Sequence, residues 1–181
     1  MRKHLLFPGF SAACLLSFCF AASWAAAAQA TPAASAACPQ VASLGQLTHA
    51  LDAAVSGPVG KDRACMRALF TPEARLTVIT PKPDGTVTLT VLTLDDWIAH
   101  VKASTVPAFY EQQVKVQTER FGHLAHLWST YFLRMNQPDA PPAVRGINSI
   151  QAAKIDGQWK IVGIAWQAET ASEKLPPAYV P

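Results

Sequence analysis

Few side chains in this chain stand at spacings that support chemistry. Histidine is the usual proton carrier near neutral pH, and His126 is the candidate that falls in mid-strand, within HLAHLWSTYFLRM. It shares a strand face with Leu124, Trp128, Thr130 and Phe132. Two roles fit that position: a general base in a pocket, or a half-buried ring satisfied by a backbone carbonyl or set at a subunit surface. His123 lies beside Gly122, three residues from His126. Strand side chains alternate, so the two rings point to opposite faces and do not clamp one metal. Asp95 and Asp96 are adjacent. Neighbouring helical residues diverge, so the pair is not a catalytic dyad and instead suits a first helical turn. Asp62 reads the same way. Glu119 and Glu169 fall near strand ends, where either could edge a pocket, and Arg145 at a strand start is an anion binder or a solvated charge.

Asn148 and Gln167 form a more specific pair, because a turn sets their relation. Asp156-Gly157 separates RGINSIQAAKI from QWKIVGIAWQAE, and a two-residue Asp-Gly loop is a strong signal for a type I′ hairpin. Regular pairing outward from Ile155 opposite Gln158 sets Ala152 against Ile161 and Asn148 against Ala165. One face then carries Asn148, Ile150, Ala152, Trp159, Ile161, Gly163, Ala165 and Gln167. The other carries Ile147, Ser149, Gln151, Val162, Ile164 and Trp166. Both faces are apolar and need cover. The amides, with small residues beside them, read as a site that orients a ligand without ionising; the alternative is two amides bonded to each other. The expected ligand set is Trp97, His126, Trp128, Asn148 and Gln167, its rings lining an apolar pocket. There is no Gly-rich phosphate loop, no H-E-x-x-H and no G-x-S-x-G. Neither a cofactor nor a metal is expected, and the catalytic residues are open beyond His126.

The elements that position these residues lie in the second part of the 181-residue chain. Arg2 and Lys3, an apolar run over Leu5–Ala22 and the small-x-small site Ala28-Gln29-Ala30 predict a signal peptide over 1–30, leaving no stable membrane anchor after cleavage. Its removal lowers the net charge from +3 to +1, since it carries two basic residues and no acidic one. That is far from the dense positive stripe nucleic-acid binding requires. The protein is expected to be exported, to periplasm or medium. Cys38 and Cys65 remain as an even pair in an oxidising compartment. A disulfide between them, worth about 2–4 kcal/mol, is expected over two free thiols; a zinc site lacks other ligands at the right spacing.

A flexible arm is expected over 31–39 and a flexible tail over 171–181, with one domain at 40–170. Val41, Leu44, Leu47, Leu51 and Val55 recur at helical spacing, so a helix is predicted over about 40–56. Lys61 to Phe70 gives a second helix. Ala74–Thr80 and Thr86–Leu92 alternate as a hairpin. Thr93 caps a third helix that buries Leu94, Trp97, Ile98 and Val101. Phe109–Arg120, in which Val114 and Val116 share a face, and His123–Met135 are long strands ahead of the Asp156-Gly157 hairpin. The order α-α-β-β-α-β-β-β-β is an α+β layout: three N-terminal helices packed on a curved, mostly antiparallel sheet.

This order, with SGPVGKDRACMRALFTPEARL, the DGTV turn with TLDDWIAHV, RFGHLAHLWSTY and the hairpin itself, resembles the nuclear transport factor two-like superfamily, also known as the SnoaL-like or cystatin-like fold. The resemblance covers about 40–170. It implies a cone whose sheet wraps the helices around a pocket, and a homodimer formed through the outer sheet face. It does not imply one activity, since the superfamily includes isomerases, dehydratases, cyclases, ligand binders and interaction modules. The expectation is a protein that binds a small, largely apolar ligand in the cone. The alternatives are an isomerase or dehydratase with His126 as base, and an interaction module without ligand. The Asn148/Gln167 face is expected inside and the Ile147/Ile164/Trp166 face at the second subunit.

Overall fold

The structure, a computed structural model, describes residues 38–181. The expected signal peptide and all but the end of the 31–39 arm lie outside the described residues. Helix α1 (Leu44–Val55) starts at Ser43, whose hydroxyl accepts from the Gln46 amide while the Gln46 side chain reaches back, a reciprocal cap. Leu47, Leu51, Ala54 and Val55 form its buried stripe. Beyond Ser56, where the sequence predicts only a stop, Gly57–Pro58 pairs with Ala108 and Phe109 as a short strand, β1. Helix α2 (Ala64–Leu69) buries Met66 and Leu69, and the Asp62 carboxylate accepts from the Ala64 amide at its start. Cys65, at the second position of α2, bonds to Cys38, the Cα atoms 5.1 Å apart. The disulfide thus ties the arm to α2.

Strands β2 (Phe70–Pro81) and β3 (Val87–Leu92) form the first hairpin. Helix α3 (Leu94–Lys102) carries a second reciprocal cap, Thr93 with Asp96, and Asp95 pairs with Arg67 at 2.6 Å. Both acids of the sequence pair therefore serve the helix start. Strands β4 (Ala108–Phe121), β5 (Leu124–Met135), β6 (Val144–Ile155) and β7 (Gln158–Ala168) follow. The seven strands make one sheet in the order β1-β4-β5-β6-β7-β2-β3. Only β2 and β7 run parallel. The fold is α+β with a mostly antiparallel open sheet, and the third helix follows the first hairpin, as the element order read from the sequence has it. The core, centred on Leu47, Met66, Leu69, Leu127, Ile150, Trp159 and Ile161, lies between the helices and one sheet face.

Two β-bulges decide what that inner face presents. Asp156 and Gly157 take the positive φ angles, 48° and 78°, that a type I′ turn requires. Pairing is regular from Ile155–Gln158 to Ala152–Ile161. Gln151 then faces Gly163, so Val162 is an extra residue in β7. A bulge reverses the face of every residue beyond it. Ile164 and Trp166 turn inward, and Gly163, Ala165 and Gln167 turn outward. Asn148 faces Trp166, not Ala165. The same happens in β4, where Gln113 pairs with Tyr131 but Lys115 with Thr130, leaving Val114 extra. Phe109, Glu111 and Gln113 therefore face in on one side of the bulge, and Val116 on the other.

The segment expected as a flexible tail lies across the outer face. The Thr130 hydroxyl donates to the Tyr179 carbonyl at 2.6 Å, and the Lys115 ammonium to the Val180 carbonyl at 3.0 Å. The Tyr179 ring packs on Trp128, centroids 6.1 Å apart. The segment forms one 3-10 turn over Pro177–Tyr179, and side chains of the sheet satisfy the carbonyls at its end.

Candidate functional site

A cavity of about 260 Å³ lies between the helices and the inner sheet face. Leu51 and Val55 of α1, Trp97 and Val101 of α3, Phe109 of β4 and Trp166 of β7 supply apolar wall. Trp97 meets Phe109 edge to face, centroids 6.4 Å apart. Against these walls stand Glu111, Tyr131 and Asn148, with His100 and Ser104 contributed by α3 and the loop after it.

Glu111 is fixed by its own backbone before its side chain makes any bond. The Ser56 hydroxyl, just past α1, accepts from the Glu111 amide at 2.8 Å and donates to the Glu111 carbonyl at 3.1 Å. One turn earlier on α1, the Asp52 carboxylate accepts from the Gln113 amide at 3.0 Å. The C-terminal turn of α1 is thus joined to β4 next to the bulge, where an ordinary ladder would have left these backbone groups unpaired. At the side chain, the Asn148 and Gln113 amides both donate to Glu111 Oε1, at 3.0 and 2.9 Å. The Gln113 carbonyl oxygen accepts from Ser129 and from Asn148. Glu111 Oε2 has no hydrogen-bond partner among the described residues and is not sealed from the cavity.

Burial pushes the Glu111 carboxyl up to about 7; the amide of Asn148 pulls it down, and the charge of Asp52 pushes it up again. Burial also raises Asp52, to about 6, against the Gln113 hydrogen bonds that lower it. Tyr131 is 4% exposed, and burial, then the Glu111 charge, raise its phenol. Its ring lies against the α-carbon of Gly146: a β-carbon there would stand 2.7 Å from the Tyr131 hydroxyl. The cavity therefore holds one carboxyl group raised towards neutrality, a phenol and an amide, on apolar walls, with the second raised carboxyl, Asp52, bonded to the β4 backbone nearby. Such a set can orient a polar ligand group and can exchange a proton with it.

Of the residues expected to bind ligand, Trp97 and Asn148 line this cavity. His126, Trp128 and Gln167 stand on the opposite sheet face, so the five do not come together. The His126 ring bonds Ser149 Oγ at 3.0 Å and stands 3.5 Å from the exposed Glu119 carboxylate. Trp128 lies under the tail. Gln167 donates to Glu173. The Val162 bulge is the physical reason Gln167 leaves the inner face and Trp166 replaces it. The expected assignment of the Ile147, Ile164 and Trp166 face to a second subunit is corrected accordingly, since only Ile147 stays outside. Arg145 and Glu169, open in the sequence, pair at 2.8 Å on the outer face.

Glu111, Tyr131 and Asp52 were not singled out by sequence, and Trp166 was read as a subunit-face residue. Taking Val116 as inward and alternating back along β4 puts Glu111 outside, and nothing in EQQVKV announces the extra residue. Asp52 did leave a trace. It stands four residues from Thr48 and three from Val55, both buried on α1, and an acid beside a buried helical stripe needs a reason to be there.

No protein-family model matches this chain, and no curated protein matches it. Solved structures do. The S. rosetta CaMKII hub is 16% identical, covering 74% of this chain and 98% of its own, with a TM-score of 0.50. An NTF-2-like protein of unknown function from Silicibacter pomeroyi DSS-3 is 17% identical over 71% of this chain and 94% of its own, TM-score 0.48. A protein with a cystatin-like fold from Nostoc punctiforme PCC 73102 is 14% identical over 69% and 84%, TM-score 0.49. At these identities the likeness concerns the fold alone, one that this chain shares with the CaMKII hub.

Proposed function

We propose that the protein binds a small, largely apolar ligand between its helices and its sheet, with the ligand's one polar group set against Glu111, Tyr131 and Asn148. The observation that carries this is an apolar cavity interrupted by a carboxyl group that the protein orients but leaves with a free oxygen. Native mass spectrometry of the purified mature protein, followed by denaturation and extraction, tests it. A retained small molecule that is lost in Trp166→Ala is expected. An empty protein that also takes up no member of a library of small aromatic compounds overturns the reading.

One observation favours a second reading. A carboxyl titrating near 7 in an apolar cavity suits general acid–base work, so an isomerase or dehydratase on this fold would use Glu111 rather than His126. Loss of turnover in Glu111→Gln, with His126→Ala active, is the expected result for that reading. The disulfide supports export, and among the described residues no helix is long and apolar enough to cross a membrane. Dimerisation through the outer face is supported by Val87, Leu89 and Val91, which are 56%, 62% and 59% exposed on the edge strand. Light scattering on the mature protein decides it, a monomer at all concentrations being the adverse result.

A further inference from the structure

The polar end of the cavity is built of acceptors. The amide donors that reach it, from Asn148 and Gln113, are already committed to Glu111 Oε1. Glu111 Oε2 and the Tyr131 hydroxyl have no partner among the described residues, and both residues line the cavity. No lysine or arginine lines it. The charge that acts on Glu111 is that of Asp52, of the same sign, and the Arg63 guanidinium beside the Trp97 and Phe109 rings is committed to the Val55 and Val59 carbonyls. A ligand carboxylate or phosphate at this end would therefore meet the like charge of Glu111 with no lysine or arginine lining the cavity to offset it. The walls, by contrast, offer five aromatic rings, Phe70, Trp97, Phe109, Tyr131 and Trp166; the Arg63 guanidinium already stands against Trp97 and Phe109, at 5.9 and 5.6 Å from their centroids. A carboxylate without a counter-cation, beside a phenol oxygen and surrounded by π-faces, is complementary to one kind of group.

We propose that the ligand of this cavity is a small lipophilic amine, bound as its ammonium ion against Glu111. The proposal rests on the ligand-binding reading above and names its chemical class. The ammonium has three donors and no acceptor; Glu111 Oε2 and the Tyr131 oxygen take two of them, and the apolar body fills the space among the rings. The two amides on Oε1 stabilise the ionised carboxylate that the ammonium needs. The apolar walls strengthen the ion pair and exclude competing water.

Binding is also coupled to pH. Glu111 must be ionised to pair, so affinity for an amine rises as pH passes through about 7. It falls again only when the amine itself loses its proton, at about 10 for an alkylamine. The other titratable groups facing the site are Asp52 from α1, Tyr131 from β5 and His100 from α3. Asp52 ionises in the same direction as Glu111 and adds to the rise.

The test is calorimetry on the mature protein with three probes of one shape: phenethylamine, 2-phenylethanol and phenylacetate. Phenethylamine is expected to bind at least about tenfold more tightly than the alcohol, and phenylacetate to be weakest. Glu111→Gln should remove the amine's advantage over the alcohol, with a cooperative melt and an unchanged far-UV spectrum showing that the variant is folded. If the alcohol equals or exceeds the amine, or if the preference survives in Glu111→Gln, the amine assignment is overturned and the ligand-binding reading stands. If none of the three binds and the protein retains nothing on extraction, both are overturned.

Discussion

Glu111 and Glu169 occupy opposite faces of the same sheet, and their environments could hardly differ more. Glu169 stands outside at the end of β7. Burial would raise its carboxyl, but the Leu175 amide and the Arg145 guanidinium outweigh that and hold it below the usual glutamate value. Arg145 grips both of its oxygens, at 2.8 and 3.1 Å. Glu111 stands inside with two neutral amides and, for a charged neighbour, another acid. The outer carboxylate is a fastening; the inner one is held in a costly state with an oxygen to spare. A structural carboxylate is given a cation, whereas one left without a counter-charge in an apolar cavity points to a ligand or a reaction.

The largest effect expected from breaking this arrangement comes at Gly146, between the two. A β-carbon there would collide with the Gln167 carbonyl on β7 and stand 2.7 Å from Tyr131 on the cavity side. The backbone atom cannot move without parting β6 from β7 next to the Arg145–Glu169 pair. Gly146→Ala should cost about 3 kcal/mol in urea denaturation, with loss of cavity binding in whatever protein remains folded.

Next in size is Glu111→Gln, which should stabilise the fold at pH 8. In the folded chain Glu111 titrates at about 7 instead of 4.5, so the folded state holds its proton where the unfolded state has lost it. Stability from this group is complete below about 4.5 and is lost as pH rises to 7, a total of about 3 kcal/mol. Asp52, raised from 3.8 to about 6, acts in the same sense. Glutamine carries no charge to desolvate and keeps an oxygen for the two amides. Melting curves from pH 5 to pH 8 should show the wild type losing stability and Glu111→Gln losing less. Equal slopes would mean that Glu111 is solvated and that the contrast with Glu169 is false.

Glu169→Gln should do the reverse and do less. Its lowered pKa means that its contribution is present above the unfolded value and disappears as pH falls through the folded one. Arg145 is partly exposed, so the pair is worth about 1 kcal/mol at pH 7. Destabilisation of that order, vanishing in acid, is expected from denaturation at pH 7 and pH 3.

How much of this was legible follows from where the strand period holds. The Asp156-Gly157 turn, the Thr93 cap and the Cys38–Cys65 bond are local or compositional signals, and each appears as read. So does Asn148 on the inner face, because its own strand is counted from the turn without interruption. Gln167 and Glu111 lie beyond an extra residue, Val162 for one and Val114 for the other, and parity counted across a bulge inverts. These valines suit a strand whether or not they are paired, so residue type does not betray them. The tail was read from its prolines, which do not prevent a single 3-10 turn or docking by carbonyls.

His126 gives the smallest expected effect, and the one that separates the two faces most cleanly. Near-neutral acidity is ordinary for a histidine and singular for a glutamate, so residue type alone ranks His126 above Glu111 as a proton carrier. Position reverses the ranking. The ring bonds Ser149 at 3.0 Å, and its 3.5 Å partner Glu119 has a side chain 87% exposed, open to screening by water and salt. His126→Ala should therefore change stability by no more than about 0.5 kcal/mol. It should leave ligand affinity and its pH dependence unaltered, because the sheet itself stands between the imidazole and the cavity. A shift of the pH midpoint in calorimetry with phenethylamine would put His126 in communication with the cavity and return the outer face to consideration as the functional one.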